Sequence, residues 1–205
     1  SQVPINMEML NDCAQLGMSM GVTWKNRAKG TFMGIDQMGA FNVVLIAERL
    51  DSGHLAIIHA EEIYNDNPFA RCDELMAQYG VAVCVVETLP NYNDAKRLAG
   101  RHMGKVFLAG YGSMSEEMLR WGDAVPNKQE RKTAEEDRDR YTVTLDQYKC
   151  MQVALARIQS KHCVFPDPQE LVQEVVEKGE RKTVAVLKDR VFFHFTRTAL
   201  VVEMD

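Results

Sequence analysis

Two acids stand apart from the rest of the chain because of where they fall. Asp36 follows the short apolar run Thr-Phe-Met-Gly-Ile and is bracketed by Gly34 and Gly39. Glu87 follows the continuous apolar run Val-Ala-Val-Cys-Val-Val over residues 81–86. Each run reads as a buried strand. An acid at the end of such a strand packs poorly but is well placed to hold a metal ion, and the flanking glycines leave room for a phosphate beside the backbone. A helical crossover between the two runs favours parallel neighbouring strands, which would bring both carboxylates to one edge of a sheet. There they would repel, and a divalent cation would relieve the repulsion. The plainer alternatives are an Asp in a β-turn and a Glu that opens a solvated loop.

The elements that would position this pair can be read around it. Residues 31–35, 41–50 and 54–63 read as three consecutive strands in an antiparallel meander, the last two joined by the hairpin signal Asp51-Ser52-Gly53. Asn67-Pro68 breaks the chain before a helix over 69–79 with Phe69, Cys72, Leu75 and Met76 on one face, and Gly80 suits its C′ position. The run 81–86 suits a central strand covered on both faces. A helix from Asn93-Asp94-Ala95 to about Met103 and a strand over 105–109 come next. Upstream, residues 4–20 place Met7, Leu10, Ala14 and Met18 at helical spacing. Lys96, Arg97 and Arg101 on the second helix after the meander, and Lys25, Arg27 and Lys29 before the first strand, are candidates for phosphate contacts.

The rest of the chain limits the function classes. With 205 residues it suits one α/β domain, and no apolar run approaches the roughly 20 residues that span a bilayer. The first residues show neither a basic nor an apolar signal region. Five scattered cysteines without a Cys-x-x-Cys pair read as free thiols. A net charge of −5 means that any nucleic acid must be met by a local basic face. Gly100–Val106 superficially resembles a phosphate-binding loop but lacks one spacer and the Ser or Thr, and no other Walker A signature occurs. Residues 127–140, with five basic and five acidic side chains, read as a solvated insertion. Further on, the reading is a strand over 141–145, a helix over 146–162 with Met151, Ala154, Leu155 and Ile158 inward, and a helix over 168–178 ended by Gly179. Asp167 reads as a helix cap, Asp189 as a turn residue, and His194, between Phe193 and Phe195, as a packed histidine.

Three stretches carry a family resemblance: Met33-Gly-Ile-Asp-Gln, then Val85-Val-Glu-Thr-Leu-Pro-Asn-Tyr-Asn-Asp-Ala-Lys-Arg-Leu-Ala, then Gly104-Lys-Val-Phe-Leu-Ala-Gly-Tyr. In order and spacing they resemble the nuclease domain of bacteriophage large terminase subunits. The likeness is clearest over residues 31–111 and continues in the Tyr-Lys helix and the His-Phe-Thr-Arg-Thr-Ala segment further on. It implies an α/β, RNase H-like mixed sheet, an antiparallel three-strand meander followed by parallel strands and flanked by helices. It implies a single nuclease domain over 1–205, the C-terminal part of a larger protein, with residues 1–30 as lead-in. It further implies two-metal cleavage of concatemeric viral DNA in the host cytoplasm, with Asp36 the first acid and Glu87 the second, on one or two Mg²⁺ or Mn²⁺ ions. The implied partners are double-stranded DNA, an ATPase motor on the same polypeptide, the small terminase subunit and the portal protein, with no membrane. The family's third acid matches none of Asp123, Asp146, Asp167, Asp189, Glu203 or Asp205 and is expected beyond Asp205. Two other classes compete: a nuclease-fold interaction module without chemistry, and an actin-like ATPase or sugar kinase, which would share the Gly-Ile-Asp opening but needs a second phosphate loop not found here.

Overall fold

The structure, a computed structural model, describes residues 5–64, 66–122 and 141–192. The meander forms as the turn chemistry dictates: β1 (Thr31–Gln37), β2 (Asn42–Arg49) and β3 (Leu55–Ile63) pair antiparallel in sequence. Gly39 and Gly53 take positive φ values of 93° and 88° in the two connections, where a side chain would be strained. Helix α2 (Pro68–Gln78) begins at the proline and buries Phe69, Cys72, Leu75 and Met76. Gly80 ends it at φ 49°. The chain then returns as β4 (Val81–Glu87), parallel to β1. Helix α3 (Tyr92–Arg101) leads to β5 (Val106–Tyr111), which is parallel to β4.

Beyond β5 come β6 (Leu119–Trp121) and β7 (Thr142–Leu145), the latter parallel to β5. Then follow α4 (Gln147–Gln159) and the two-residue β8 (Cys163–Val164). The eight-stranded order is β6-β7-β5-β4-β1-β2-β3-β8. Its centre, β3-β2-β1-β4-β5 with only β2 reversed, is the RNase H-like arrangement. The C-terminal ends of β1, β4, β5 and β7 therefore share one edge.

Two apolar layers hold the sheet. Met33, Ile35, Cys84 and Val86 pack against α2 and α3 through Leu75, Ala95 and Leu98. On the other face Val43, Ile57 and Ala60 meet α1 (Met7–Ser19) and a later ribbon. That ribbon is β9 (Val172–Glu177) with β10 (Glu180–Ala185), followed by a π-helical segment (Val186–Val191). The second layer lies over β2 and β3, so β4 is covered on one face only: Ala82 is exposed, and Val83 and Val85 are half-buried.

Further sequence expectations are corrected in the second half of the chain. Residues 168–178 are not a helix: β9 and β10 form a hairpin turned by Lys178 and Gly179, both at positive φ (51° and 79°). The glycine serves a two-residue turn, and the β-branched valines prefer the pleat. Asp167 caps only a turn, accepting from Gln169 N at 2.9 Å. Asp189 belongs to the π-helical segment, where its Oδ2 accepts from Ala185 N at 2.8 Å. In α4 only Ile158 is fully buried, and Ala154 is exposed. Residues 127–140 and His194 lie outside the described residues.

Helix α1 forms at the expected place with a rotated face. Leu10, Cys13, Ala14 and Gly17 are buried, while Met7 and Met18 are exposed. The rotation follows from backbone contact: a Cβ on Gly17 would lie 2.1 Å from the Phe165 carbonyl oxygen. Gly17→Ala gains about 1 kcal/mol of helix propensity but forces α1 off β8, an overpacking cost of up to about 3 kcal/mol. The cost wins, and the melting temperature is expected to fall by several degrees; a rise would contradict the contact.

Helix α2 is tied to β3 by Arg71, whose Nε and Nη2 donate to Glu61 at 2.8 and 3.0 Å. Burial alone would raise the Glu61 pKa; the His59 and Arg71 hydrogen bonds and charges outweigh it and hold the carboxyl at about 2, below its usual 4.5. The carboxylate's contribution is complete above pH 4.5 and is lost as pH falls toward 2. Glu61→Gln should cost about 2 kcal/mol at pH 7 in urea unfolding, and its gap to wild type should narrow below pH 4.5. A gap that stays constant down to pH 3.5 or so would contradict the assignment.

Candidate active site

The pairing of β1 with β4 decides where the two acids stand. Gly34 faces Val85 and Ile35 faces Val86, so the next step of the register sets Asp36 beside Glu87. Neighbouring parallel strands lie about 4.8 Å apart. Residues directly opposite across a ladder share a face, and the row continues through Asp36–Val43 and Val43–Glu62 on one side and Glu87–Ala109 on the other. Asp36 and Glu87 therefore share the edge that the strand pattern led us to expect, and the register adds a common face and row.

A cavity of about 370 Å³ opens beside the pair, lined by Asp36, Glu87 and Tyr111 together with the apolar Leu45, Val85, Ala109 and Leu145 and by Gly34. A Cβ on Gly34 would meet nothing within 4 Å, so the glycine leaves open space directly below Asp36.

Tyr111, the last residue of β5, donates its phenol to Glu87 Oε1. Burial, the hydrogen bond to Glu87 and the charges of Glu87 and Asp36 together push the phenol's pKa upward, so it remains a donor at neutral pH. From the other side, buried Gln37 donates its amide to the Glu87 main-chain carbonyl and accepts from Asn91 N at 3.0 Å. Neither residue was found by sequence reasoning. Gln37 follows Asp36 directly, and Tyr111 ends the last stretch of the family resemblance, but only the register brings them to Glu87.

Two further acids reach this edge and are engaged elsewhere. Glu62, two strands from Asp36 in the same row, is buried; it accepts from the Tyr64 phenol at 2.7 Å and faces Arg190 Nε at 3.4 Å. Asp146 follows β7 and caps α4, accepting from Lys149 N and Met114 N at 3.1 Å each. Those backbone hydrogen bonds lower its pKa, with Lys149 the larger cause. Among the described residues no cluster of three His, Cys, Asp or Glu side chains is placed to hold a metal. Asp123, Glu203 and Asp205 lie outside the described residues.

The basic candidates divide by position. Lys96 and Arg97 are exposed on α3, whose first turn follows the Glu87 loop; Arg97 pairs with Asp94 at 2.9 Å. Arg101 is at the far end of α3 and pairs with Asp73 of α2 at 2.9 Å. Lys25, Arg27 and Lys29 precede β1, at the opposite edge from Asp36. Ala28 and Gly30 bond to Gln78 and Gly80 there, and Lys25 pairs with Glu48. The structure does not bring Lys25, Arg27, Lys29 or Arg101 to the acid pair.

Among the described residues no helix is long and apolar enough to cross a membrane. No family model matches the chain, and no curated protein matches it significantly. Solved structures similar to it include the following. The large terminase nuclease from thermophilic phage G20c shares 14% identity over 75% of this chain and 71% of its own, with a TM-score of 0.37. The yeast mitochondrial Holliday junction resolvase shares 11% over 96% of this chain and 92% of its own, with a TM-score of 0.39. The large terminase of bacteriophage HK97 shares 14% over 96% of this chain, which spans 43% of that protein's length, with a TM-score of 0.36. Strand order and register, independent of these likenesses, define the fold as RNase H-like.

Proposed function

We propose that residues 1–205 form a metal-dependent DNA endonuclease domain of the large-terminase type, cutting concatemeric viral DNA during packaging. The observation that carries this reading is the Asp36–Glu87 pair, in register on adjacent parallel strands at one edge and on one face. The backbone holds two carboxylates side by side, and such a pair of anionic oxygens suits a hard dication. The donor set fits Mg²⁺ or Mn²⁺: both groups are anionic oxygens, and such ions keep several waters when protein ligands are few. When bound, the ion would supply charge neutralisation at the phosphate and acidification of an attacking water.

The chain's own residues supply position. Asp36 and Glu87 fix the ligand oxygens. Gly34 keeps the space below Asp36 clear for a sugar-phosphate backbone. Lys96 and Arg97 stand on α3 as candidate phosphate contacts; the Asp94 pairing of Arg97 is exposed, so giving it up costs little. The substrate in this reading is double-stranded DNA. The natural setting is host cytoplasm, with an ATPase motor on the same polypeptide and the small terminase subunit and portal protein as partners.

The test is Mn²⁺-dependent nicking of supercoiled plasmid by wild type, Asp36→Asn and Glu87→Gln. Each substitution should lower nicking by at least about a hundredfold while leaving the metal-free melting temperature within a few degrees. Nicking retained in Asp36→Asn, or a large fall in its melting temperature, would make Asp36 a structural residue and overturn the reading.

A further inference from the structure

Glu87 is the last residue of β4, and the recorded β1–β4 register ends one step earlier, at Ile35–Val86. On the other side Glu87 pairs with Ala109 of β5, so only its β1 side lacks a ladder partner, and a long, rotatable side chain at such a strand end is a poor ligand unless something holds it. Here it is held at both ends. Gln37 carries the β1–β4 connection one bond further by donating to the Glu87 carbonyl, and its Oε1 accepts the amide of Asn91 at 3.0 Å. Asn91 Nδ2 donates in turn to Gly39 O at 3.3 Å, closing the loop after β4 onto the turn after β1. At the carboxylate, Tyr111 donates its phenol to Oε1.

We propose that Gln37 and Tyr111 are positioning residues that fix Glu87 against Asp36 and thereby set the affinity of the site for a divalent cation. The inference rests on the reading of Asp36 and Glu87 as ion ligands. Tyr111 is half exposed, so packing alone does not account for its place. Its phenol takes one of the roughly four lone-pair positions of the carboxylate and leaves Oε2 for an ion. The two residues act on different atoms of Glu87: Gln37 limits where the strand end can move, and Tyr111 limits how the side chain can turn. Removing either leaves the same ligands with more freedom to lose on binding, so affinity falls without loss of a ligand.

The experiment is calorimetric titration of Mn²⁺ into the whole chain well below its melting temperature. The proteins are wild type, Tyr111→Phe and Gln37→Met, with Asp36→Asn as the ligand-loss control. Tyr111→Phe and Gln37→Met should each weaken Mn²⁺ binding by about three- to tenfold. Their double variant should fall short of the product of the two effects, because both act through Glu87. A residue with a merely structural role would lower the melting temperature and leave the affinity of the folded protein unchanged, so unchanged or tighter binding in Tyr111→Phe overturns the proposal. Tyr111→Phe keeps its ring and carries the test by itself if Gln37→Met does not fold. If wild type itself gives no Mn²⁺ binding, the ligand reading fails and the proposal falls with it; binding by wild type with no change in the variants removes the positioning role alone.

Discussion

The parallel ladder between β1 and β4 is the constraint on which the rest depends. It sets Asp36 beside Glu87, a placement that no local preference of either residue would produce. The ladder is fixed from below by the core. Met33 and Ile35 of β1 and Cys84 and Val86 of β4 are all buried against α2 and α3. A slip of one strand by one residue would turn its two buried residues outward and put the acids on opposite faces. Burial of apolar surface thus enforces the closeness of two carboxylates, the pair on which the proposed cation site rests.

The same logic accounts for the rest of the edge. Two other acids that reach it are engaged within the protein: Glu62 by Arg190 and the Tyr64 phenol, Asp146 by backbone amides. Asp36 and Glu87 line a cavity whose other walls are largely apolar. Tyr111 and Gln37 hold Glu87 without supplying a counter-charge. The Glu87 end of the pair is therefore held by neutral donors from two neighbouring strands.

Much of this was legible in the sequence, for physical reasons. The meander, α2, β4 and the acid-terminated strands carry strong periodic patterns with clear punctuation, and a helical crossover nearly determines parallel pairing. The second half was harder. Residues 168–178 read as a helix ended by Gly179, whereas the Lys178–Gly179 turn joins two strands of one hairpin. The buried face of α1 depends on Gly17 touching the backbone of Phe165, far away in sequence. Gln37 and Tyr111 were missed because a register cannot be resolved to one residue from patterns alone, and Lys25, Arg27 and Lys29 were drawn toward Asp36 by sequence nearness although β1 separates them by its whole length.

The most direct measurement of the central claim is an anomalous difference map from crystals of this chain grown or soaked with Mn²⁺. The account predicts a peak between the carboxylates of Asp36 and Glu87, within ordinary coordination distance of an oxygen from each. A Mn²⁺ peak elsewhere on the molecule with none at this pair, under conditions where the carboxylates are ionised, would contradict it.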